Sequence, residues 1–178
     1  MKKFFVVTSV LLLCCMFMGC GVKAKLDGTW KANKSMSYQN EPYAKIEIDD
    51  MSDYSNVPVV TTIERNITLT INKDGTFSQE VVNTQTSVVK DYFYDTLPEG
   101  AKITVLSDGK TYYRMSGNWY YDNDKIILKT THQEQQQDGN DKKATSDNIT
   151  CQSEEVYLID DILFATFGGV IYEFTKAE

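Results

Sequence analysis

Four cysteines and a single histidine carry most of the reactive chemistry open to this 178-residue chain. Cys14, Cys15 and Cys20 fall within the apolar stretch LLLCCMFMGC, while Cys151 stands alone in NITCQSEE. Zinc and copper centres of ordinary composition draw on several His or Cys ligands, so a chain whose only histidine is His132 argues against one. A Cys151–His132 dyad would need a third, orienting group, and nothing in NITCQSEE supplies the positive surroundings that lower a thiol pKa. Cys151 reads as a small half-buried strand residue and His132 as a strand-end residue facing solvent. The acidic clusters Asp49-Asp50, Asp122-Asn123-Asp124 and Asp138-Gly139-Asn140-Asp141 offer oxygens to hard cations, yet none has the ligand spacing of an EF-hand loop. Turns select Asp and Asn for backbone reasons, and these clusters read as solvated turns. No catalytic set, metal or cofactor is expected, and the chain reads as non-enzymatic.

The aromatic residues are the remaining candidates. There are eleven tyrosines, and strand alternation in TYYRMSGNWYY puts Tyr113, Met115, Trp119 and Tyr121 on one face, opposite Tyr112, Arg114 and Tyr120. Trp30, Tyr113 and Trp119 are therefore the candidate lining of a site for a small apolar ligand. The alternative, and the commoner use of such side chains in a barrel of this size, is to fill the core.

The elements that position these residues begin with an address. Met1-Lys2-Lys3 is followed by a run without charge from Phe4 to Val22, the layout of an export signal. As a helix that run would reach roughly 28 Å, close to the ~30 Å bilayer core. Small Gly19 directly precedes Cys20, and Lys23 and Lys25 follow. This end of the run resembles the lipobox of bacterial lipoproteins, with Phe17 where the family usually has Leu. The resemblance implies cleavage between Gly19 and Cys20, and a diacylglycerol thioether on the Cys20 sulfur. A signal cleaved after Ala24 and a retained anchor helix are the alternatives. Two or three acyl chains hold a protein firmly where one holds only marginally. The expected organisation is a signal peptide over residues 1–19, a short tether over 20–25 and a single domain over 26–178, on the extracytoplasmic side of a bacterial membrane.

With Cys20 acylated, Cys151 would have no partner for a disulfide, so stability must come from a packed core. The formal net charge is −7, and the only arginines are Arg65 and Arg114. That balance argues against nucleic acid and against electrostatic clinging to anionic lipid.

Hydrophobic period points to strands nearly throughout. In IERNITLTI, Ile63, Arg65, Ile67, Leu69 and Ile71 share one face. Asn72-Lys73-Asp74-Gly75 then signals a hairpin turn with Gly75 at positive φ. Further hairpins are expected at Ser107-Asp108-Gly109-Lys110, Asp122-Asn123-Asp124, Asp160-Asp161 and Gly168-Gly169. Val88, Val89, Tyr92 and Phe93 fall at helical spacing before Pro98. Residues 133–148 read as a long mobile loop or extended hairpin tip, and EPYAKIEIDDMSDYSNVP as a strand followed by an acidic loop. The fold class expected is all-β: an antiparallel up-and-down meander of about eight to ten strands closing into a barrel, which removes sheet edges. A two-sheet β-sandwich is the alternative.

LDGTW, with Gly28 and Trp30, resembles the Gly-x-Trp start of lipocalin-like barrels, and GNWYYDNDKIIL and GGVIYEFTK resemble the middle and last strands of bacterial lipocalin-like lipoproteins. The resemblance implies that Trp30 plugs the closed end of a barrel. In lipocalins a late arginine packs across that Trp, and here the final strand offers Lys176 instead. The function implied is a membrane-tethered binding or carrier module for a small hydrophobic ligand. The alternative is a filled barrel that docks an envelope protein partner.

Overall fold

The computed structural model describes residues 25–49, 51–122, 125–138, 144–147, 153–167 and 169–177. The strands are β1 (Gly28–Asn40), β2 (Tyr43–Ile48), β3 (Met51–Asn56), β4 (Val59–Ile71), β5 (Thr76–Val89), β6 (Lys102–Val105), β7 (Gly109–Asp122), β8 (Lys125–Gln137), β9 (Ala144–Asp147), β10 (Ser153–Ile159), β11 (Ile162–Phe167) and β12 (Val170–Lys176). One short helix, α1 (Asp91–Tyr94), follows β5. The neighbours run β1-β4-β5-β7-β8-β10-β11-β12 and back to β1, all antiparallel, which closes an eight-stranded meander barrel. A closed hydrogen-bonded ladder excludes the sandwich alternative. β9 extends the wall beyond β10 on the same flank of β8, so residues 133–147 form an extended hairpin arm where they are described.

Most of the turn chemistry works as read. Gly75 has φ 89°, and β4 and β5 pair from Ile71↔Phe77 to Val59↔Val89. Asp160 and Asp161 have φ 49° and 63°, and joining β10 to β11 through two positive-φ residues matches the twist of the flanking strands. Three expectations are corrected. Ser107-Asp108-Gly109-Lys110 does not join a hairpin: β6 pairs with β2, and β7 pairs with β5. The Asp108 carboxylate instead accepts from the Ser87 backbone N–H (2.9 Å) and the Ser87 hydroxyl (2.7 Å), fastening a crossover between sheets onto β5. The acidic loop after AKIEI is strand β3, which pairs by its backbone with β2 and leaves its side chains exposed. Exposure on both faces removes the apolar alternation that marks a strand. Val88 and Val89 belong to β5, and the helix starts only at Asp91.

The barrel is uneven. Its five long strands carry 13 or 14 residues each, against six or seven in β10, β11 and β12. Where short and long strands coincide, Leu26, Trp30, Leu69, Ile71, Phe77, Trp119, Leu128, Leu163 and Phe174 make one continuous core. At the far end of β4 and β5 the small sheet β3-β2-β6 packs a second core, in which Ala44, Ile46 and Val105 meet Val59 and Val89.

Register along β8 depends on one glycine. The pairing shifts from Ser116↔His132 to Gly117↔Thr130, leaving Thr131 as an extra residue. A Cβ on Gly117 would lie 2.0 Å from the Lys129 carbonyl oxygen. Only the absence of a side chain lets the two backbones approach this closely at the bulge.

Candidate functional site

Directly opposed residues share a face, so the ladder sorts the inner wall into rows. Trp30, Leu69, Gln79 and Met115 form one row, and Ala32, Ile67, Val81 and Tyr113 the next. Then come Lys34, Arg65, Asn83 and Thr111, followed by Met36, Ile63 and Gln85. The lower rows are largely buried, and Val59 and Val89 at the far end are buried again beneath the small sheet. Between them Lys34, Met36, Ile63, Arg65, Asn83, Gln85, Thr111 and Tyr113 are half-buried.

This band is half-open because a seam ends beside it. β1 pairs with β12 only at Trp30↔Lys176 and Lys31↔Thr175. Past that point side chains bridge the two strands: Lys34 Nζ donates to the Ile171 carbonyl (3.2 Å) and lies 5.7 Å above the Tyr172 ring. Arg65 reaches the same tyrosine, its Nη1 donating to the Tyr172 hydroxyl at 2.9 Å, while its Nε donates to Asn83 Oδ1 at 2.7 Å. Two cationic side chains thus converge on one buried ring.

Two other inward polar groups lie toward the closed end. Gln79 is 3% exposed, and neither of its side-chain amide atoms has a hydrogen-bond partner. Glu154 shares a face with its partner Leu128 and, beyond it, Trp119. Burial alone pushes its carboxyl up to about 7.

Of the residues singled out as ligand-lining, Trp30 and Trp119 lie in the core. The indole of Trp30 donates to the Leu26 carbonyl (2.9 Å) and that of Trp119 to the Asn72 carbonyl (2.8 Å). Tyr113 packs against that core and reaches the half-buried band. Lys176 Nζ lies 5.4 Å over the Trp30 ring and donates to the Lys25 carbonyl at 2.9 Å, so an ammonium occupies the place where the resemblance implies a guanidinium. Cys20 and Cys151 lie outside the described residues, as does the whole expected signal. His132 is half-buried on the outer wall beside the bulge. Among the described residues no group of acidic, Cys or His side chains could hold a metal ion.

Two concavities lie away from the band. A 320 Å³ groove on the outer wall contains Thr68, Ser78, Ser116 and His132, and its Arg114 is neutralised by Glu80 (2.8 Å) and Glu134 (3.0 Å). A 460 Å³ cleft beside α1 is bounded by Ser87, Tyr94, Ile103 and Asp108. Neither converges unpaired charge as the band does.

The fold and the band define a class: an antiparallel eight-stranded β-barrel, filled at one end, lidded at the other and half-open between. No protein-family model, curated protein or solved structure matches the chain.

Proposed function

We propose that the chain is a lipid-anchored cell-envelope lipoprotein of lipocalin-like form, whose barrel binds or carries a small hydrophobic ligand and performs no catalysis. The observation that carries this reading is the half-buried inner band. Its Met36, Ile63 and Tyr113 are apolar surface kept partly in contact with water, in a barrel of the size that holds either packed side chains or one small ligand. Barrel interiors with a few placed polar groups are common small-molecule sites. Attachment through Cys20 would set the Trp30 end of the barrel nearest the lipid, because only residues 21–25 separate that sulfur from Leu26.

Native mass spectrometry of the full chain, released from membranes of its host, tests both halves. A thioether-linked diacylglycerol at Cys20 and a co-purifying apolar molecule are the expected masses. A bare Cys20 thiol would remove the anchor, and a chain that neither carries nor takes up any hydrophobe would remove the carrier.

A second reading, an interaction lipoprotein, draws on the small sheet. There β3 is exposed along its length, Met51 is 73% exposed, and Tyr43 stacks on Tyr54 at 5.8 Å. Exposed aromatic residues beside a free strand edge suit a protein partner. Crosslinking in intact cells that returns only monomer would count against it.

A further inference from the structure

We propose that the half-open band selects an amphiphile with an anionic head and a single apolar tail, the head held between Lys34 and Arg65; this rests on the carrier reading above. The chain is acidic overall, with a net charge of −7, yet it turns two cations inward at directly opposed positions. A charge drawn into a barrel is normally paired, because leaving water without a counter-charge is costly. The ion pairs of the described residues use Lys25, Lys45, Lys73, Arg114 and Lys125. Lys34 and Arg65 instead rest on neutral acceptors: a backbone carbonyl, a tyrosine hydroxyl and an asparagine amide oxygen.

Those acceptors leave donors over. A guanidinium has about five N–H groups and an ammonium three. Arg65 uses two of its donors and Lys34 one, among the described residues. Asn83 and Tyr172 fix the guanidinium plane from two sides, and a planar fork held in this way is the donor geometry that carboxylate and phosphate oxygens accept. The rows on either side supply the tail's surface: Ile67 and Tyr113 toward the core, Met36 and Ile63 toward the lid. Of the carboxyls near the inner wall among the described residues, Glu154 sits at the level of Trp119 and Leu128, and Asp108 is bound to Ser87 two rows beyond Arg65, so neither stands in the row of Lys34 and Arg65 to compete with the head.

The test uses the full chain reconstituted in phosphatidylcholine nanodiscs, with empty discs as reference. Decanoate, decyl phosphate and decanol are titrated calorimetrically. The two anions present the shared chemistry from its two sources, the carboxylate of a fatty acid and the phosphate of a single-chain phospholipid, and decanol presents the tail with an uncharged head. At least one anion should bind about tenfold more tightly than decanol, the advantage expected of one charge-assisted contact, and the preferred anion names the source. Arg65→Gln and Lys34→Gln should each erase most of that preference, read as the ratio of anion affinity to decanol affinity in the same variant. Lys34→Gln removes one hydrogen bond and the ammonium over Tyr172 at the seam, a smaller loss than that of the doubly bonded guanidinium, and so remains a valid test should Arg65→Gln fail to fold. Equal binding of all three probes to the wild type would overturn the proposal and leave the carrier reading standing, as would a preference that survives both substitutions. Binding of none of the probes would overturn both.

Discussion

Glu154 offers a test of the barrel interior that needs no ligand. Its carboxyl titrates at about 7, against 4.5 for a free glutamate, because burial disfavours the charged form and no cation compensates. Between those two pH values the folded chain binds more protons than the unfolded chain, so Glu154 lowers stability progressively as pH rises, and the penalty is complete above about 7. At about 1.36 kcal/mol per pH unit the upper limit is roughly 3 kcal/mol, and solvent reaching the half-buried carboxyl reduces the expectation to about 2 kcal/mol. Glu154→Gln keeps the shape and is neutral at every pH. Urea unfolding of the full chain, followed by emission of the buried Trp30 and Trp119, should find the variant about 2 kcal/mol more stable than wild type at pH 8 and equal to it at pH 4. Other titrating groups cancel in that difference. A pH-independent difference, or a variant less stable at pH 8, would refute the assignment of Glu154 to a desolvated site.

Gly117→Ala should destabilise by at least about 3 kcal/mol in the same assay, because a methyl 2.0 Å from the Lys129 carbonyl must force β7 and β8 apart; a near-neutral result would mean the bulge can relax. Gln79→Met should stabilise by about 1–2 kcal/mol, since it replaces two buried unpartnered amide atoms with a side chain of similar length. Lys176→Met should lose about 1 kcal/mol with the ammonium over Trp30 and its bond to the Lys25 carbonyl, whereas Lys176→Arg should lose little.

The barrel was legible because its strands are half-buried. IERNITLTI alternates along its length, and four of its five inward residues meet apolar neighbours in the core or the band. Legibility failed where burial did. β3 is exposed on both faces and carries no periodic signal, so it read as a loop. The turn at Asp108-Gly109 has hairpin chemistry, but which strands flank a turn does not fix which strands pair. That choice was made by contacts distant in sequence, namely Ala44 and Ile46 on Val105 and the Asp108 carboxylate on Ser87.

The band was legible only in part, because its signal lies in charge rather than in apolar pattern. Arg65 already stood on the face shared by Ile63, Ile67, Leu69 and Ile71, and a lone guanidinium on an otherwise apolar face is a signal that could have been followed. Lys34 gave a weaker one, since in KANKSMS only Ala32 and Met36 mark its side as inward, and Tyr172 lies more than a hundred residues away in the last strand. The aromatic residues are a less decisive signal, since they serve as plug or lining with equal ease: Trp30 and Trp119 lie in the core, and only Tyr113 reaches the band. A cation has no such double use. Filling a core with Arg65 would gain nothing that leucine does not supply at lower desolvation cost. Its retention on the inner wall therefore requires either the braces to Asn83 and Tyr172 for their own sake or a negative partner brought from outside. The two cases part on one measurement, for a brace alone would leave decanoate and decanol indistinguishable to the wild-type barrel.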